Sequence, residues 1–298
     1  MPNEKKDLVF RIDGETGEIV SQFEIGEGES LTSSEKLHKR KIFMEKKNEM
    51  ERFNNQMGGF VKLFYVNEEI LFQNVLEPQE VARFLYISTF IDYDNVLKND
   101  KGEPLTKKTL WKLTFMRPSV FNQLYEKLTN ENFLFENENE TISVNDEKVT
   151  KGDHKMKNVS YTRMYINTIR KLYKGCDQRQ HKSLGYLFKL VPFLDYESNM
   201  ICYKNNEKFS PMTTEDMMML LDISCKSSGS VSQFNRQLLK LKIFINGKDV
   251  PVFGKISFES CDGKLSNGWV VNPCLFYQGN KIENVNFLLK KLFELSNK

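Results

Sequence analysis

Four blocks of this chain occur twice, in the same order. FVKLFYVNEEIL at 60–71 corresponds to YTRMYINTIRKL at 161–172, RFLYISTFIDYDN at 83–95 to YLFKLVPFLDYES at 186–198, LTKKTLWKL at 105–113 to MTTEDMMML at 212–220, and FNQLYEKL at 121–128 to FNRQLLKL at 234–241. The separation grows from 101 to 113 residues along the chain, the behaviour of a duplicated unit whose loops have lengthened in one copy. The polar joint between the copies is Lys148 to Ser160, KVTKGDHKMKNVS. Three segments follow: an N-terminal stretch over 1–58, a first copy over 59–150 and a second copy over 151–298.

Each copy carries the same local pattern near its end. In the second, VSQFNRQLLKLKIF reads as a helix over Ser230 to Lys242 with polar tips, then a strand, the polar turn SCDGKLSNG and a second strand running into VNPCLFYQG. A polar-tipped helix followed by a hairpin is the pattern of a winged helix-turn-helix. In the first copy LTKKTLWKLT is a short helix and SVFNQLYEKLTNEN a second one, burying Val120, Phe121, Leu124, Tyr125 and Leu128. The strand FLFE, an asparagine-rich turn and the strand TISVN complete it. Upstream, FVKLFYVNEEILFQNVL reads as a helix, as does the segment opening at Pro78, where proline suits a first turn. Residues 8–25 read as a hairpin around GETG, Ser30 to Gln56 as a polar helix stopped by Gly58 and Gly59, and Ile282 to Leu295 as an amphipathic helix. That last helix packs on its own domain or on a second subunit. The expected fold class is mainly α with small β-hairpins (α+β), in two tandem winged helix-turn-helix domains.

Such a helix enters a major groove, and its tips decide what it reads. In the second copy these are Ser230, Ser232, Gln233, Asn235, Arg236 and Lys240; Gln and Asn suit adenine edges and Arg suits guanine, whereas Lys and Ser suit phosphates. Lys226, Ser227 and Ser228 precede the helix N-terminus, where a phosphate is favoured, and Lys264 lies in the wing turn. In the first copy the counterparts are Arg117, Ser119, Asn122, Gln123 and Lys127. Its hairpin, however, carries Glu131, Glu136, Glu138, Glu140, Asp146 and Glu147, which repel a phosphate backbone. The expectation is DNA contact through Arg117 and Lys127, with that wing lifted away or used for a protein contact. Net charge is only +3, but residues 151–189 hold ten cations against Asp153 and Asp177, 10 − 2 = +8, a phosphate-facing surface or a solvated one. Residues 1–30 balance at 3 − 8 = −5.

The same residues argue against catalysis. The three histidines, His38, His154 and His181, are isolated, no GxxxxGKS/T or GxGxxG loop is present, and no nucleophile sits beside a base. The five cysteines form no CxxC pair, so neither a zinc site nor a disulfide framework is expected, and they suit a reducing cytoplasm. No cofactor, no metal and no catalytic residue is expected, and no membrane span or signal peptide is evident, which places the chain in the cytoplasm.

FKLVPFLDYESNMICYKN, MTTEDMMMLLDIS, FNRQLLKLKIF and VNPCLFYQG, in this order, resemble the winged-helix replication initiators of plasmids and phages in low-GC Gram-positive bacteria. In that group the strand after the wing ends in an asparagine-proline pair and an aromatic-x-glycine, here Asn272-Pro273 and Phe276 to Gly279. The resemblance covers Lys182 to Gly279 and, through the duplication, Phe60 to Asn145. It implies sequence-specific binding of double-stranded DNA at an origin and recruitment of host replication proteins, with no catalytic residues in the initiator. Two rival expectations are a winged-helix transcription regulator and an interaction adaptor with degenerate winged helices, with the N-terminal hairpin and C-terminal helix as homodimer surfaces.

Overall fold

A computed structural model of the chain describes residues 7–12, 19–25, 34–66, 69–152, 159–203, 210–245, 247–259 and 265–296. The fold is mixed α/β, with more helix than strand and small antiparallel sheets, and it forms two compact units, Met1–Glu49 and Met50–Lys298. The first contains the expected hairpin, β1 (Asp7–Ile12) against β2 (Ile19–Ile25), paired from Asp7↔Ile25 to Arg11↔Ser21, with a bulge after Arg11. The GETG turn itself lies outside the described residues. Helix α1 (Ser34–Gln56) exposes Leu37, Phe43 and Met44 within the first unit and buries Met50 and Phe53 in the core of the second.

The second unit is arranged about a four-stranded antiparallel sheet of order β14–β7–β3–β6. Strand β3 (Phe60–Tyr65) pairs along its length with β7 (Ser160–Tyr165), placing Lys62 opposite Arg163. β6 (Val149–Thr150) flanks β3, and β14 (Phe276–Tyr277) flanks β7. Lys62 pairs with Thr150 as Arg163 pairs with Tyr277, and Leu63 with Val149 as Met164 with Phe276. The equivalent strands of the two copies therefore meet at the centre, each with its own flanking strand outside. This corrects the helix expected over 60–76. FVKLFY is a strand buried on both faces, and the chain then turns through Phe72 and Asn74, which have positive φ and stop a helix. Its apolar run fits either period, and the partner strand a hundred residues away decides between them.

Beyond the sheet the order of elements recurs. In the first copy α2 (Pro78–Ser88), α3 (Lys107–Thr114) and α4 (Pro118–Asn130) precede the hairpin β4 (Leu134–Glu136) and β5 (Ile142–Val144). In the second, α5 (Ile166–Gly175) leads to α6 (Gln180–Lys189), a 3₁₀ turn at Val191–Phe193, and the short pair β8 (Cys202–Tyr203) and β9 (Ser210–Pro211). Then come α7 (Thr214–Leu220), α8 (Ser228–Leu239), the hairpin β10 (Lys242–Ile245) and β11 (Lys248–Pro251), and the hairpin β12 (Phe253–Glu259) and β13 (Leu265–Val271). Helix α9 (Ile282–Ser296) closes the chain on its own unit, with Val285, Leu288 and Leu292 buried and Leu292 lying over Gly254. The helix expected to run to Lys242 stops at Leu239. KIFI is instead a strand, because Ile243 and Phe244 pair with Val250 and Asp249.

The buried polar bonds recur as well. Asn95, at φ +58°, donates from Nδ2 to the carbonyls of Val144 (3.3 Å) and Val149 (2.8 Å). Asn199, at φ +54°, donates to those of Val271 (2.8 Å) and Phe276 (2.9 Å). Each ties the turn after α2 or α6 to the last strand of its hairpin and to the outer strand of the central sheet. Asn145, half-buried, and Asn272, buried, form a second equivalent pair. Their Nδ2 atoms donate to the carbonyls of Asn132 and Pro251, and their Oδ1 atoms accept the backbone N–H two residues on. The asparagine of the NPCLFYQG motif thus has a counterpart in the first copy that lacks the proline.

The copies pack through α2 and α6, and here they differ. Gly185 lies so close beneath Pro78 that a Cβ on it would sit 1.7 Å from the Pro78 carbonyl oxygen. On the other side, Tyr173 of α5 stacks between Tyr86 (3.9 Å between centroids) and His181 (4.3 Å). Burial, followed by the nearby Arg83 charge, holds the His181 imidazole below its ordinary pKa of 6.5, with the Tyr173 backbone and then Asp177 acting the other way. The unfolded chain binds the proton more readily, so His181 subtracts stability as pH falls through 6.5 and has no effect well above it. The urea midpoint should fall between pH 7.5 and 5.5, and His181→Phe should flatten that dependence. An unchanged dependence in the variant would assign the acid sensitivity elsewhere.

Candidate nucleic-acid interface

Helix α8 is opened by Ser227, whose Oγ accepts the Ser230 N–H at 3.1 Å, and is held to the core by Phe234 and Leu238. Its remaining face is solvent-exposed: Ser232, Gln233, Arg236 and Lys240 lie along it, with Ser228 and Lys226 exposed at its start and Ser230 half-buried. Gln237, one turn beyond Gln233, belongs to the same exposed face and was absent from the sequence expectation. From Ile223 to Lys248 the sequence contains no carboxylate and five cations, of which Lys242 and Lys248 extend the basic surface onto β10 and β11. That acid-free run is a signal readable from the sequence.

Asn235 does not join this face. The Trp269 indole N–H donates to Thr214 Oγ1 (3.2 Å), and the Thr214 hydroxyl donates to Asn235 Oδ1 (3.0 Å). This relay crosses from strand β13 through α7 to α8, so the Asn235 amide oxygen is engaged in holding the two helices together. Lys264 lies outside the described residues, and the exposed Lys255 ammonium sits 4.8 Å over the Trp269 ring.

In the first copy α4 starts after Arg117, with Pro118 in its first turn, and exposes Arg117, Ser119, Asn122 and Gln123. Lys127 is turned the other way, its Nζ 2.6 Å from Glu80 Oε2, which also accepts the Glu77 N–H. Its charge is engaged with α2. At the β4–β5 hairpin, Glu136 accepts from the Tyr125 hydroxyl (3.3 Å), while Glu131, Glu138, Glu140, Asp146 and Glu147 are exposed.

The basic stretch 151–189 also divides. Arg163 donates to the Gly279 carbonyl (2.6 Å), and Arg170 clamps the end of α2 through Thr89 O (2.8 Å), Thr89 Oγ1 (2.9 Å) and Asp100 (2.6 Å) with its guanidinium 3.8 Å over Phe90. These two arginines hold the fold. Lys171, Lys174, Arg179 and Lys182 remain exposed, and the last two stand beside α8. Among the described residues no group of three His, Cys, Asp or Glu side chains is arranged to hold a metal, and no helix is long and apolar enough to cross a membrane. Burial pushes the Cys274 thiol up to about 12 and the Cys176 thiol up to about 11, which leaves neither as a ready nucleophile. No family model matches the chain, and neither does any curated protein or solved structure.

Proposed function

We propose that Met50–Lys298 comprises two tandem winged-helix domains that bind double-stranded DNA, with α8 as the base-reading helix, and that the chain initiates replication of a plasmid or phage. The observation that carries the reading is the acid-free outer face of α8, where Gln233, Arg236, Gln237 and Lys240 stand unburied beside the β12–β13 hairpin. A helix of that width fits a major groove, and the amide and guanidinium groups match the acceptor and donor patterns of adenine and guanine edges. The replication role rests on the resemblance of the sequence motifs. The first domain serves a protein contact, such as host replication proteins, because its wing is acidic and Lys127 is ion-paired to Glu80.

Duplex affinity is expected to fall linearly with the logarithm of salt concentration; binding that ignores salt would remove DNA as the partner. Arg236→Ala should relax base preference at one position by about 1–3 kcal/mol. Asn235→Ala should instead cost about 1–2 kcal/mol of folding stability and leave the ranking of sites unchanged, since it ends a buried relay. Competition binding with single-base variants of a selected site separates the two. Equal loss on selected and random duplex for Arg236→Ala refutes its reading role.

A further inference from the structure

A cleft of about 310 Å³ lies between α6 and α8, with Arg179, Lys182 and Ser183 on one wall and Ser230, Gln233 and Gln237 on the other. No carboxylate lines it. The nearest one along α6, Asp177, is turned back to accept the N–H groups of Arg179 (2.8 Å) and Gln180 (2.9 Å). Neither Arg179 nor Lys182 has an ion-pair partner among the described residues; Lys182 lies only 5.8 Å over the Tyr186 ring. Ser183 is 8% exposed, lines the cleft and has no hydrogen-bond partner among the described residues. Its hydroxyl therefore opens into the cleft, beside two cations without ion-pair partners and two side-chain amides. The larger cleft nearby, about 540 Å³, differs in charge: it holds Glu77 and Asp222 among its lysines, and its Lys127 is already paired to Glu80.

We propose that the α6–α8 cleft binds a phosphate group through Arg179, Lys182 and Ser183. Every polar side chain on its walls can donate, and the guanidinium fork and ammonium match the oxygens of a phosphate. The cleft opens beside the exposed face of α8, so a backbone phosphate flanking the groove that α8 enters is one source, and a free phosphate-bearing small molecule is the other. Only the first rests on the DNA-binding reading.

The test uses the full chain and three variants: Arg179→Gln with Lys182→Gln together, Ser183→Ala, and a control pair, Lys171→Gln with Lys174→Gln, which removes two exposed charges of the same basic stretch on α5. In the first arm, fluorescence anisotropy follows duplex binding against salt. Loss of the two cleft cations should lower the slope of log affinity against log salt by about 1–2, at roughly 0.9 for each phosphate contact removed. Ser183→Ala should weaken binding about two- to tenfold at an unchanged slope, and the control pair should leave the slope alone. In the second arm, thermal melting is recorded with and without inorganic phosphate and no DNA. A midpoint raised in the wild-type protein but not in the Arg179/Lys182 variant assigns the cleft to free phosphate. A control pair that loses as much as the cleft pair, or cleft variants that match wild type in both arms, overturns the proposal. If wild-type protein binds no duplex at low salt, the DNA reading falls while the melting arm still decides the cleft; the absence of both responses overturns both.

Discussion

Gly185→Ala is expected to destabilise Met50–Lys298 by about 2–4 kcal/mol, although alanine is the better helix former. Helix propensity alone favours the change by about 1 kcal/mol. Against that stands the Pro78 carbonyl oxygen, 1.7 Å from where the new methyl would sit, with the Pro78 carbonyl carbon at 2.1 Å. Backbone cannot rotate aside, so α2 and α6 must separate and loosen the packing between the copies. For a unit of this size the thermal midpoint should drop by about 5–15 °C. Two comparisons isolate the cause. Gly175→Ala, with nothing within 4 Å of the added methyl, should be near neutral. Gly254→Ala meets only the side-chain ends of Leu292 and Leu295 and should fall between the two. A Gly185→Ala protein as stable as wild type would show that the helices do not cross so closely.

Asn199→Ala is expected to cost about 3–4 kcal/mol, and Asn95→Ala as much or more. Each substitution leaves two buried carbonyls without their donor, at about 1–3 kcal/mol apiece before relaxation. Each also places a Cβ-bearing, non-amide residue at positive φ, a further 1 kcal/mol or so. Asn95 should be the more sensitive because its Oδ1 additionally accepts the Thr150 hydroxyl at 2.9 Å, whereas Asn199 Oδ1 has no partner among the described residues. Asn199→Gly restores the backbone freedom and should recover only that last share. Urea denaturation of the four proteins measures this directly. A large cost at one asparagine and none at the other would contradict their equivalence in the two copies.

Much of this arrangement was legible in the residues, and the parts that were not share one cause. The collinear blocks, the stop at Gly58-Gly59 and the turn at Asn137–Glu140 are local signals, written within a few residues of where they act; the helix expected from Ser230 starts two residues earlier, capped by Ser227. The side-chain ends are different. Asn235 looked like one more tip on a polar helix, and only Thr214 and Trp269, brought from α7 and β13, turn it inward. Lys127 reads in the sequence as a DNA contact and Arg163 and Arg170 as part of a basic stretch, whereas the fold engages them with Glu80, the Gly279 carbonyl and Asp100.

What the sequence by itself determined is the collinear repeat and, in the first copy, the helices and hairpin after Pro78, because periodicity and turn chemistry act over a few residues. What only the tertiary structure decided is that FVKLFY becomes a strand at the centre of a shared sheet, and which of the many cations stay free beside α8. Hydrogen bonds and ion pairs between residues a hundred positions apart settle both, and no local pattern encodes them.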